Sequence, residues 1–187
     1  MLSINILGIE VPDTRPLFLV ALAVHVPAGI VSVLSGAVAA ASRKRPGRHP
    51  GAGRVYLVGL AALCASAAVL APMRWRHDWP LLLLDLIAFG SAASGLLVRR
   101  RHRPGWLAPH GMAMAGSYIT LLTGFYVDNG PQLPVWDRLP HLAYWLLPAA
   151  VGVPLTVAAL AHNRAWNGGR SWPLGRRPTP TTTRRPR

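Results

Sequence analysis

Five long apolar stretches separated by short charged joints leave this chain few ways to fold. They run approximately from Pro16 to Ala41, Val55 to Pro72, Leu81 to Val98, Leu107 to Val127 and Pro140 to His162. A bilayer core of about 30 Å is crossed by roughly 20 apolar residues in a helix, because backbone N–H and C=O groups find no partner in hydrocarbon unless the helix supplies one. The pattern therefore predicts an all-α, polytopic membrane helix bundle of five spans. Charged residues make up 14% of the 187 residues, against roughly 25% in soluble globular chains, and they concentrate in the joints.

The charges also give a direction. Sixteen of the twenty basic residues fall in the first joint (Arg43, Lys44, Arg45, Arg48, Arg54), the third joint (Arg99, Arg100, Arg101, Arg103) and the segment after His162. Arg15, Arg74, Arg76 and Arg138 lie in the alternate joints, together with Glu10, Asp13, Asp78, Asp128 and Asp137. Basic joints stay on the cytoplasmic side of a membrane. The expected organisation is a short extracytoplasmic stretch over 1–15, a transmembrane domain over 16–162, and a basic, disordered cytoplasmic tail over 163–187. The acidic start lacks the charged n-region of a cleaved signal peptide. A bacterial inner (cytoplasmic) membrane is the expected location.

The formal net charge of +14 suits anionic lipid headgroups at the basic joints and tail, and no folded recognition module accompanies it that would point to nucleic acid. Cys64 is the only cysteine, which rules out an intramolecular disulfide and a thiol metal cluster. Gly51-Ala52-Gly53 lacks the strand and helix context of a nucleotide fingerprint.

Ionisable residues inside spans are costly and become the functional candidates: His25, Asp85, His110 and His141, one on each of four spans. His25, Gly29, Ser32 and Gly36 share one helical face, a groove open either to a neighbouring helix or to a flat cofactor. His110, Met114, Ser117 and Leu121 share another. Tyr118, Thr120, Thr123 and Tyr126 make that fourth span polar enough to be expected at the centre of the bundle. Asp85 is in register with Ala88, Ala92 and Gly95, at the expected outer interface. By helical rise, His25 and His141 belong to the outer half and His110 and His49 to the inner half. Histidines on separate helices suit bis-histidine ligation of haem b, with His25, His110 and His141 as ligands and His49 as a fourth candidate. Helix packing and proton handling are the alternatives for the same residues.

The joint residues His49-Pro50-Gly51-Ala52-Gly53-Arg54-Val55-Tyr56 read as a tight glycine re-entry, with Arg54 and Tyr56 anchoring the helix end at the interface. Together with His25 and the later His110-x-x-x-Met114-x-x-Ser117-Tyr118, this pattern resembles the bacterial membrane proteins catalogued as domain of unknown function twenty-three-oh-six. The resemblance covers roughly His25 to Tyr126. Pro50, Ala113 and Gly116 stand where that family usually has Arg, Trp and Arg. A multi-helix bacterial membrane protein of unassigned biochemical role is what the resemblance implies. A broader analogy to b561-type cytochromes rests on histidines spread over several helices.

Two functional expectations follow. One is a small membrane redox protein with haem b and a membrane redox partner. The other is a non-enzymatic membrane protein, either a small transporter or an assembly partner, including a homo-oligomer. No catalytic residue and no metal other than haem iron can be named from the sequence.

Overall fold

The computed structural model describes residues 4–6, 9–11, 15–42, 47–101, 104–134 and 136–168. A short antiparallel hairpin comes first, β1 (Ile4–Ile6) pairing with β2 (Ile9–Val11) through Asn5 opposite Glu10. Five helices follow: α1 (Pro16–Ala41), α2 (Arg48–Met73), α3 (Trp75–Arg100), α4 (Leu107–Asn129) and α5 (His141–Gly168). Two short 3₁₀ turns, Gly130–Gln132 and Trp136–Arg138, lie between α4 and α5.

Local chemistry explains the boundaries. Pro16 occupies the first position of α1, where its missing N–H is no loss and its fixed φ suits the helix. Gly47, immediately before α2, has a φ of 117°, in the left-handed region that favours glycine. Gly105, two residues before α4, has a φ of 78° in the same region. Pro72 sits in the last turn of α2, and Arg74 alone separates α2 from α3.

Two expectations are corrected here. The joint carrying His49, Gly51, Gly53 and Arg54 is not a glycine re-entry but the first turns of α2, which begins at Arg48. Nor is Tyr56 an interfacial anchor. It lies more than two turns into α2 and is 1% exposed. The helices that contain the second and third apolar stretches begin ahead of those stretches, at Arg48 and Trp75, so each helix is 26 residues and about 39 Å long.

Among the described residues, α1, α2, α3 and α5 are long and apolar enough to cross a membrane. α4 has 23 residues and is too polar to join them by composition, since it carries His110, Ser117, Tyr118, Thr120, Thr123 and Tyr126. It packs against α3, α5 and α1. The exposed surface of α1 and α5 presents large apolar side chains such as Val20, Val24, Leu34, Leu146 and Leu155. In water such a surface would be a large cost per Å²; against hydrocarbon it is the expected exterior.

The main core brings Ala28 of α1, Tyr56, Leu60 and Leu63 of α2, Ala88 and Ala92 of α3 and Leu121 of α4 together, with Met114 and Tyr118 packed against it. A second cluster joins Phe18 and Ala21 to Leu70.

Candidate functional site

The two ends of the bundle differ in chemistry. One, where α1 ends and α2 begins, carries Arg48, Arg54, Arg99, Arg100 and Arg101; the other carries Asp78, Asp85, Asp128 and Asp137.

Between them, the face of α1 singled out in the sequence is taken up by α2, one residue after another in antiparallel register. His25 bonds through Nδ1 to Ser66 Oγ at 3.1 Å. Gly29 faces Leu63, and a methyl group on Gly59 would stand 2.7 Å from Ser32 Oγ. A methyl group on Gly36 would lie 2.6 Å from the ring of Tyr118 and 3.1 Å from that of Tyr56. At the arginine end, His49 Nδ1 donates to the carbonyl of Ala39 at 2.9 Å. Small residues on this row let the two backbones approach, as in membrane helix pairs generally.

α4 locks onto this pair by hydroxyls. Tyr56 Oη and Ser117 Oγ share a hydrogen bond of 2.7 Å, and Tyr118 Oη donates to the carbonyl of Val33 at 3.0 Å. Ser32 Oγ donates to Ala28 O at 2.7 Å. Ser32 and Ser117 are wholly buried, and no buried side-chain polar atom among the described residues lacks a partner. α3 meets α4 through the face holding Ala88, Ala92 and Gly95; Met114 covers Gly95, and His110 Nδ1 donates to the Gly95 carbonyl at 2.8 Å. The indole of Trp106 lies 5.7 Å from the His110 ring.

These bonds specify tautomers. A carbonyl only accepts, so His49 and His110 carry hydrogen on Nδ1. The Ser66 hydroxyl is spent on the carbonyls of Leu63 and Ala62, so the Nδ1 of His25 is also the donor. In each neutral ring the lone pair is on Nε2.

The ionisable groups gather at the aspartate end. Asp85 lies one turn before Ala88 on the packing face of α3 and is half-buried. It is within electrostatic range of Asp128 near the end of α4, and Asp128 in turn is within range of His25, Arg74 and His77. Arg74 pairs with Asp78 at 3.9 Å, one helical turn apart. Three helices therefore bring carboxylates and an imidazole to one region: α1 with His25, α3 with Asp78 and Asp85, α4 with Asp128. Asp128 drew no attention as a site residue in the sequence because it sits at the end of its span; only the pairing of α3 with α4 brings it near Asp85.

The remaining candidates are dispersed. His141 is exposed at the start of α5, edge-on to Tyr144 with ring centres 5.9 Å apart. Tyr144 is itself buried against Gly130, and its hydroxyl donates to Trp136 O at 2.8 Å. Tyr126 and Trp136 stack at 4.6 Å, completing an aromatic patch at this end. Arg54 is exposed on α2. His25, His49 and His110 direct Nδ1 to three different helices, α2, α1 and α3 respectively. No group of three or more His, Cys, Asp or Glu side chains among the described residues is placed to hold a metal ion. The basic tail expected over 163–187 lies outside the described residues apart from the backbone of α5 up to Gly168.

No family model matches the chain, and no curated protein or solved structure matches it.

Proposed function

We propose that this chain is a five-span membrane protein that handles protons at a site formed by His25, Asp85 and Asp128. The observation that carries this reading is the convergence of carboxylates from α3 and α4 with the α1 imidazole at the aspartate end. Ionisable side chains in a membrane are retained where they bind or move charge. His25 is tied to α2 through Nδ1 and Ser66, which leaves its Nε2 to take up a proton while the α1–α2 contact is kept. The alternation of basic joints supports an orientation with the aspartate end outside and the arginine end in the cytoplasm, in the cell membrane.

The test is proton flux into vesicles carrying the purified protein and a trapped pH-sensitive dye. Flux above that of empty vesicles, lost in Asp85→Asn and in His25→Ala, is expected. Vesicles with correctly inserted protein but no excess flux would overturn the reading.

A second reading, haem b held for one-electron transfer with an unidentified membrane redox partner, is favoured by one observation. His25 and His110 both commit Nδ1–H to a protein acceptor, the arrangement that orients a ligating imidazole and leaves Nε2 for iron. Against the α1–α2 face as the cradle stand the notches at Gly36 and Gly59, filled by Tyr118 and Ser32. A reduced-minus-oxidised visible spectrum of protein purified from haem-replete cells decides it. A near-stoichiometric b-type signal lost in His25→Ala or His110→Ala supports haem, and a colourless folded preparation removes it.

A further inference from the structure

An open furrow of about 420 Å³ runs along the outer surface of the α1–α2 pair. Pro27, Ala28 and Val31 form one wall; Val55, Val58, Gly59 and Ala62 form the other; Arg54 stands at one end. Its α2 wall from Arg54 to Ala62 is about 12 Å long by helical rise. The furrow exists because Ala28, Gly59 and Ala62 are small and Gly59 is pressed against Ser32, which leaves no side chain to fill the space outside the contact. Apart from Arg54 its lining carries no charge.

Arg54 is exposed, and no ion pair or side-chain hydrogen bond involves it among the described residues. It lies six residues into a helix of about 39 Å, which exceeds a hydrocarbon core of about 30 Å. That position puts its Cα just inside the boundary and its guanidinium, on a long aliphatic stem, at headgroup level. From there the furrow descends toward the middle of the bilayer, within a single leaflet.

We propose that this furrow binds one anionic phospholipid, with an acyl chain between Pro27 and Val58 and the phosphate on Arg54. Charge complementarity selects the occupant: an exposed guanidinium presents a fork of donors matched to phosphate oxygens, above walls that offer only van der Waals contact. A transmembrane helix of a partner would need a longer apolar seam and has no use for the arginine. The inference rests on the membrane reading but not on proton handling.

The experiment uses the full chain in phosphatidylcholine nanodiscs with and without phosphatidylglycerol, after alkaline carbonate extraction has shown that the protein is integral. Native mass spectrometry counts retained lipid, and thermal unfolding reads its effect. Wild type is expected to retain one phosphatidylglycerol and to melt higher with it. Arg54→Gln should lower that occupancy about five- to tenfold, the weight of one basic residue or charge-assisted bond at a lipid phosphate. Val58→Trp, which fills the furrow from the lipid side, should lose the retained lipid while keeping the fold. Arg99→Gln should change neither, and glycerol phosphate without acyl chains should give no shift. Unchanged retention in Arg54→Gln, an equal loss in Arg99→Gln, or a full shift from glycerol phosphate would each overturn the proposal. Release of the protein by carbonate would instead remove the membrane reading beneath it.

Discussion

Tyr56 Oη and Ser117 Oγ, 2.7 Å apart and almost wholly buried, fasten the second helix of the bundle to the fourth. The neighbouring Tyr118 bonds to Val33 O, so two hydroxyl bonds from adjacent residues of α4 tie it to α2 and to α1.

Tyr56→Phe keeps the ring and removes the bond. A hydrogen bond between membrane helices is worth about 0.6 kcal/mol on average and up to about 1.7. A loss in that range is expected on unfolding in mixed detergent, while Tyr56→Ala should cost about 3–5 kcal/mol through the cavity it leaves. Equal, small effects of both substitutions would argue against a buried Tyr56.

Gly36→Ala places a methyl group 2.6 Å from the Tyr118 ring and close to Tyr56. Overpacking of this kind costs typically 1–3 kcal/mol. Gly90→Ala and Gly116→Ala meet nothing within 4 Å, and by helix propensity each should be neutral or stabilising by up to about 1 kcal/mol. Thermal melts of the three variants give the comparison, and the contrast between them is the result expected.

His110→Ala removes the bond to the Gly95 carbonyl that fastens the start of α4 to α3. A loss of about 1 kcal/mol is expected. Before any mutation, nitrogen-15 NMR of the imidazole should show hydrogen on Nδ1 at neutral pH; a pure Nε2–H form would contradict this geometry.

Asp85→Asn removes a carboxylate that is charged at alkaline pH, is partly buried and lies within electrostatic range of Asp128. The variant should be more stable than wild type at alkaline pH, by on the order of 1 kcal/mol. The gap should close at acid pH, where protonation removes the buried charge in wild type as well. Melting midpoints across the pH range read both effects, and a gap independent of pH would mean that the Asp85 charge is neither buried nor repelled by Asp128.

Orientation is open to direct measurement. A fluorescent protein fused after His162 should be bright in the cytoplasm, and alkaline phosphatase fused after Gly130 should be active outside it. The opposite pair of results would invert the bundle.

Much of the architecture was legible because the bilayer imposes its constraint on local stretches of sequence. Twenty apolar residues in a row need no tertiary partner to declare a helix, and the alignment of α1 with Pro16–Ala41 reflects this. Helix ends were less legible. Amphipathic turns such as Arg48–Arg54 and Trp75–Pro80 are stable at an interface without being apolar, so hydropathy could not reveal that α2 and α3 begin there. The shared face of His25, Gly29, Ser32 and Gly36 was visible from helical period alone. What covers it was not, since a helix and a flat ring ask for the same small residues.

The sequence by itself therefore determined the solvent, the helical class and the bias of basic residues toward alternate joints, all properties of composition along one dimension. Tertiary structure decided that Tyr56 is core rather than anchor, that Asp85 has Asp128 for a neighbour, and that Arg54 overlooks an apolar furrow. Those relations join residues up to sixty positions apart, on helices whose rotation about their own axes is set only when small residues on one meet large ones on the next.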